Sequence, residues 1–195
     1  MTIHLAACAI ALLATGCATL PEPGGAGDWP SRRSALQSLE RWTLNGRMAV
    51  ASGSEGFSGG LSWRQDGEQA EIELRGPMGG RAISIRVKGE AISVTDDNGT
   101  TVDGDDARDL VARHIGTALP IAELRYWLVG APAPGSPHEE SIGGDQRLAR
   151  LDQRGWRVGY SSYRGVGDLV LPSRMEITTS GLRLRVAVAD WRLDP

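Results

Sequence analysis

From Trp42 onward the chain alternates apolar and polar residues with a period of two, the pattern of strands with one dry and one wet face. Trp42, Leu44, Gly46, Met48 and Val50 share one parity, and Arg41, Thr43, Asn45 and Arg47 take the other. Leu61 and Trp63 oppose Ser62 and Arg64; Ile72 and Leu74 oppose Glu71, Glu73 and Arg75; Ile83, Ile85 and Val87 oppose Ser84, Arg86 and Lys88. Ile92 and Val94 lead into Asp97-Asn98-Gly99-Thr100, whose Asn-Gly pair supplies the positive φ angles of a tight hairpin, and Val102 starts the return. This run predicts an antiparallel meander. The alternation resumes with Leu148 and Leu151, then Trp156, Val158 and Tyr160, then Met175 and Ile177. It is clearest in the last strand, where Leu182, Leu184, Val186 and Val188 alternate with Arg183, Arg185, Ala187 and Ala189.

Three segments carry helical spacing instead. Ser31 to Leu39 follows Pro30 and sets Ala35, Leu36 and Leu39 on one face. Asp105-Asp106 can cap a helix with Ala107, Leu110, Val111 and His114 on one side, ending at Gly116. Pro120 suits the first turn of another, Glu123 complements its positive end, and Ile121, Leu124, Trp127 and Leu128 form its apolar stripe before Gly130 and Pro132 stop it. Ala131 to Gly144 reads as a loop rich in Pro and Gly. Many one-faced antiparallel strands must curl or be covered, and a few short helices cannot cover them alone. The expectation is a mostly β fold: a curled, partly closed barrel with a helical lid.

A different signal precedes the strands. An apolar run from Leu5 to Ala14, about the length of a secretory h-region and too short to span a bilayer, ends in Leu13-Ala14-Thr15-Gly16-Cys17. It resembles the bacterial lipoprotein signal, cut so that Cys17 is acylated and becomes the first mature residue. Two features depart from that signal: Met1-Thr2-Ile3-His4 lacks Lys or Arg, and Ala14 stands where Leu is usual. An ordinary leader, or a true start lying upstream, therefore stays open. The expected division is residues 1–16 as signal peptide, 17–30 as acylated N-terminus and flexible tether, and 31–195 as the folded domain. Cys8 falls in the leader, which leaves no thiol for disulfides or a Cys-based metal site.

Composition narrows the function classes. The chain beyond the leader is long enough for one domain with its own core. Lys88 is the only lysine among 21 basic side chains, and with a net charge of −3 and arginines scattered among acids, nucleic acid is not an expected partner. Asp96, Asp97, Asn98, Asp103, Asp105 and Asp106 suggest calcium, but Thr101 stands where an EF-hand loop needs glycine and no glutamate closes it; a turn and a helix cap account for them. His114 and His138 have no nucleophile or metal-ligand pattern around them. No metal, cofactor or catalytic activity is expected.

A set of landmarks runs in order over roughly residues 40 to 193. They are Trp42 to Gly46-Arg47, Gly60-Leu61-Ser62-Trp63-Arg64-Gln65 and Gly76-Pro77-Met78-Gly79 in the first half. In the second half they are Gly116-Thr117-Ala118-Leu119-Pro120-Ile121, Leu124 to Gly130, Gln153-Arg154-Gly155-Trp156-Arg157-Val158, Tyr163 and Leu171-Pro172. Taken together they resemble the LolB family of outer-membrane lipoprotein receptors, and the resemblance implies an unclosed antiparallel β-barrel under a helical lid, enclosing an apolar cavity. It implies a monomer in the outer membrane, facing the periplasm, that accepts acylated lipoproteins from the periplasmic carrier LolA and inserts them into the inner leaflet. Such a machine answers a physical need, since exposing one long acyl chain to water costs on the order of 10 kcal/mol.

The resemblance also assigns the apolar tip of the loop Pro77, Met78 and Gly79 to delivery into the membrane; otherwise Met78 tucks into the core from a hairpin turn. Among the alternating apolar residues, most of which must be plain core, Leu44, Met48, Leu61, Trp63, Ile85, Trp127, Met175 and Leu184 are the candidates for lining the cavity. The competing reading is a structural or assembly lipoprotein that binds a protein partner through the edges of its curved sheet.

Overall fold

The period-two stretches fold as strands of a single antiparallel sheet in the computed structural model, which describes residues 28–53, 55–76, 82–115 and 118–194. A first meander comprises β1 (Arg41–Ser52), β2 (Glu55–Asp66), β3 (Gln69–Arg75), β4 (Ala82–Lys88), β5 (Ala91–Thr95) and β6 (Thr101–Asp103). A second comprises β7 (His138–Ile142), β8 (Leu148–Gln153), β9 (Trp156–Val166), β10 (Leu169–Thr179) and β11 (Leu182–Leu193). The strand order β6-β5-β4-β3-β2-β1-β11-β10-β9-β8-β7 joins the meanders through β1 and β11 and leaves β6 and β7 as edges, so the barrel is unclosed. The helices described are α1 (Trp29–Gln37) ahead of the sheet, and α2 (Gly104–Ile115) and α3 (Ile121–Val129) between the meanders.

The junction of β1 and β11 depends on one glycine. Asn45 faces Asp190 while Gly46 faces Val188, so Ala189 is an extra residue and the strand kinks there. A Cβ at position 46 would lie 2.3 Å from the Ala187 carbonyl oxygen, and only glycine permits that approach. The bulge also switches parity: Leu182 to Val188 point inward on even numbers, yet Trp191 is buried. There Trp191 meets the Trp42 ring edge-on at 5.3 Å, and Trp42 stacks on Trp63 at 6.0 Å.

Several boundaries differ from the sequence expectation. Helix α1 spans Trp29–Gln37, not 31–39, because Asp28 caps it by accepting from the Ser31 N–H at 3.1 Å, and Pro30 sits inside the first turn where a missing N–H is harmless. Its Trp29 is buried, so the fold begins within the stretch read as tether. Helix α2 starts at Gly104 and takes Asp105 and Asp106 into its first turn. The Pro and Gly loop over 131–144 contains strand β7, paired to β8; His-Glu-Glu-Ser-Ile lacks an apolar alternation because an edge strand need bury neither face.

Candidate functional site

The concave face of the first meander and helix α3 enclose an apolar cavity. The stripe Ile121, Leu124 and Leu128, at i, i+3 and i+7, turns one face of α3 to the sheet, and Leu119 joins it from the preceding segment. Below them lie Met48, Leu61, Trp63, Ile72, Leu74, Ile85, Leu184 and Val186. Every lining side chain is apolar, and the cavity volume is about 30 Å³, room for a water molecule or two and far too little for an acyl chain. The lid side chains thus fill the space in this conformation.

Leu119 and Ile121 also wall a groove of about 400 Å³ on their other side. A second groove of about 340 Å³ continues from it, sharing Val87, Gly89, Glu90, Ile121, Ala122 and Glu123, and reaches Gln65, Glu68 and Tyr126. Together they form a mouth between the β2–β3 and β4–β5 turns and the start of α3. Its charges are mixed: Glu68 and Glu90 stand in the grooves with Arg108 and Arg125, and Glu123 pairs with Arg154 at 2.6 Å.

The far end of α3 is clamped by polar contacts. Trp127 Nε1 donates to Gln153 Oε1 at 2.8 Å, the Ala133 N–H donates to the same oxygen at 2.9 Å, and Gln153 Nε2 donates back to the Ala133 carbonyl at 2.8 Å. Tyr160 Oη donates to the Trp127 carbonyl at 2.8 Å. Gly130 ends the helix at φ 88°, with Pro172 Cγ only 3.0 Å from where a Cβ would stand. Burial pushes the Tyr160 hydroxyl well above its ordinary value, with nearby Tyr163 adding to the effect, and burial likewise raises Tyr163. Both are neutral donors at any physiological pH. Half-buried Asp152 goes the other way: burial tends to raise it, but bonds from Arg157 and Arg150 outweigh that and hold it low.

Of the residues nominated from sequence, Met48, Leu61, Trp63, Ile85 and Leu184 meet at the cavity. Leu44 is fully buried one position along, paired with Trp63 and Trp191. Trp127 faces Gln153, and Met175 lies in the row with Val186 and Tyr160, beside a trough on the other side of the sheet. Cys17, Pro77, Met78 and Gly79 lie outside the described residues; Arg75 and Ala82, which bracket the 77–81 segment, pair with each other. The sequence reading did not nominate the lid stripe as lining, nor Gln153 as its clamp. The signal for Gln153 was present: it shares the inward parity of Leu151, and a polar residue at an inward position needs a partner.

The aspartates read as turn and cap residues serve local structure. Asp96 Oδ1 accepts from the N–H groups of Asn98 and Thr100 at 2.9 and 2.8 Å, and Asp105 pairs with Arg108. Among the described residues, no three His, Cys, Asp or Glu side chains are placed to hold a metal ion.

Comparison with known proteins agrees with this geometry. The family model described as outer membrane lipoprotein LolB matches residues 40–191. The chain is 35% identical over 192 residues to the outer-membrane lipoprotein LolB of Alkalilimnicola ehrlichii, covering 95% of this chain and 94% of the relative. It is 32% identical over 187 residues to that of Nitrosococcus oceani, covering 93% of each. Among solved structures it is similar to a LolA superfamily protein from Nitrosomonas europaea, with TM-score 0.54 and 12% identity over 87% of this chain and 95% of that one. A putative outer membrane lipoprotein-sorting protein domain from Vibrio parahaemolyticus is similar with TM-score 0.52 and 9% identity, over 85% and 91%. At such identities these two likenesses speak for the fold.

Proposed function

The chain belongs to the LolB family of outer-membrane lipoproteins, and on that premise we propose that it receives acylated lipoproteins from the periplasmic carrier LolA and releases them into the outer membrane. It is an outer-membrane lipoprotein receptor of lipoprotein localisation, held at the membrane by lipid. The lipid sits on Cys17 in this reading, residues 1–16 are removed, and the following residues tether the domain, which acts as a monomer.

The observation that carries the reading is the all-apolar space under a lid whose own side chains fill it. Burying Leu124 and Leu128 fully and Leu119 and Ile121 in part contributes roughly 5–9 kcal/mol. One long acyl chain gains a similar amount on leaving water. Exchange of lid for cargo is therefore nearly balanced: the empty receptor shuts its cavity, one chain competes with the lid, and several chains tip the equilibrium. Entry runs from the mouth past Leu119 and Ile121. No bond is made or broken; the driving force is partition, and the bilayer is the final sink. Release is assigned to Pro77, Met78 and Gly79, with Met78 offering an apolar, flexible tip to hydrocarbon.

Sheet-edge binding of a protein partner is less well supported. Edge β6 has three residues with α2 against it, and edge β7 has Trp29 and Arg33 of α1 bonded to its Glu140. The deciding experiment is a fluorescent fatty-acyl probe titrated into the protein. It is expected to bind and to be displaced by acylated lipoprotein, but not by the same lipoprotein without its chains. No binding to correctly folded protein would overturn the reading. Met78→Glu is expected to leave uptake from the carrier intact and strand cargo on the receptor; unchanged delivery to liposomes removes Met78 from the mechanism.

A further inference from the structure

The outer face of the sheet carries a row that lipid uptake does not use. Reading across the strand registers, Arg75 of β3 faces Gly60 of β2, Gly60 faces Arg47 of β1, Arg47 faces Ala187 of β11, and Ala187 faces Arg174 of β10. Arginine thus recurs on every second strand with a glycine or alanine between, and neighbouring strands about 4.8 Å apart put consecutive guanidinium stems roughly 10 Å from each other. All three arginines are exposed. Arg75 pairs with Glu73 at 2.8 Å, whereas Arg47 and Arg174 have no ion-pair partner among the described residues. Beside them runs a trough of about 730 Å³ whose small side chains, Ala49, Ser58, Ala187 and Ser161 among them, leave the charges standing clear. Arg185 edges the same trough and, with Arg183, shares Glu176. Five arginines against two glutamates make this face basic in a chain whose net charge is −3.

We propose that this arginine row is a docking face for the anionic phospholipid headgroups of the membrane to which the chain is anchored. Charge complementarity carries the argument. A guanidinium fork matches phosphate oxygens two at a time, the small residues between forks let a flat array of headgroups approach, and the lipid-anchored domain is never far from such a surface. The row lies at the register level of Arg75, the last residue of β3, so a domain resting on it holds that end of the first meander at the bilayer. The inference rests on the outer-membrane placement and is independent of cargo binding.

The test uses the acylated chain reconstituted into vesicles of phosphatidylcholine alone or mixed with phosphatidylglycerol, with a fluorophore on Ser58→Cys and a headgroup-linked quencher in the bilayer. The expected result is quenching that needs phosphatidylglycerol and fades as salt is raised. Arg47→Ser or Arg174→Ser should lower the docked-to-undocked ratio about fivefold each, and the double variant about 25-fold. The Arg47→Lys, Arg174→Lys pair, which keeps the charge but loses the fork, should dock more weakly than the parent and more strongly than the double Ser variant, and thermal midpoints should stay unchanged, since both positions are exposed. Equal quenching in neutral and anionic vesicles, or a double Ser variant that docks like the parent, overturns the proposal. Quenching that appears only on adding the protein carrier overturns it too, in favour of a protein-binding face. Probe binding in the same samples reports on the cavity separately, so either reading can fail while the other stands.

Discussion

The two meanders bury their concave faces by different means. In the first, β1 to β4 line the space under the lid with apolar side chains alone, the polar tie being at the rim, where the Arg125 guanidinium of α3 donates to the Gly67 carbonyl of the β2–β3 turn at 2.7 Å, and a space of about 30 Å³ is left unfilled. In the second, the same helix is fastened by a glutamine, a tyrosine and the backbone of the following loop, with Leu148, Leu151, Leu171 and Ile177 fully buried around them. Apolar contacts are non-directional and exchangeable for another apolar body; buried hydrogen bonds are directional and costly to leave unmade. A lid built this way yields on one side and holds on the other, as a receptor that admits lipid without unfolding requires.

The largest expected effect comes from removing the fastening. Gln153→Leu leaves Trp127 Nε1 and both polar groups of the Ala133 backbone without partners, a loss of about 4 kcal/mol. Urea unfolding measures it; a change under about 1 kcal/mol would mean that the second meander is no better fastened than the first.

A matched pair sharpens the contrast. Leu151→Ala, in the filled half, should cost about 2–5 kcal/mol and leave acyl-probe affinity alone. Leu128→Ala, in the lid, should fall at the low end of that range and strengthen probe binding by enlarging the cavity. Equal costs with unchanged probe binding in both would erase the distinction.

At the junction, Gly46→Ala forces a methyl against the Ala187 carbonyl and should cost about 1–3 kcal/mol, read as a lowered thermal midpoint. The smallest effect is Tyr160→Phe, about 1 kcal/mol for the bond to Trp127 at neutral pH. It also carries a pH signature. Tyr160 has a folded-state pKa raised above the ordinary 10.0, so its contribution is intact below pH 10 and is lost as pH climbs toward the folded value, because the unfolded chain ionises first. Thermal midpoints at pH 8 and pH 11 should converge more closely in Tyr160→Phe than in the parent; an unchanged gap would place the alkaline loss elsewhere.

The strands and the lid stripe were legible in the sequence because a half-buried strand writes its burial at every second residue and an amphipathic helix at every third or fourth. Trp42 to Val50 and Leu182 to Val188 needed no structure to be paired with a dry face. Strand β7 was not legible, since an edge strand such as His138–Ile142 is under no pressure to alternate. The inward turn of Trp191 was hidden as well, because a bulge shifts parity by one residue without changing composition.

The site divides along the same line. Ordered landmarks along the chain were enough for the family and its receptor function, and periodicity was enough to say which residues leave water. Which apolar residues meet was a matter of registers and of where α3 crosses the sheet. Those put Met48, Leu61, Trp63, Ile85 and Leu184 under the lid, Leu44 and Met175 outside the cavity, and Trp127 against Gln153. Burial is a property that each residue carries locally, whereas adjacency comes from long-range pairing. That is why the apolar face could be read along the chain, while the cavity, its clamp and the arginine row took shape in the folded sheet.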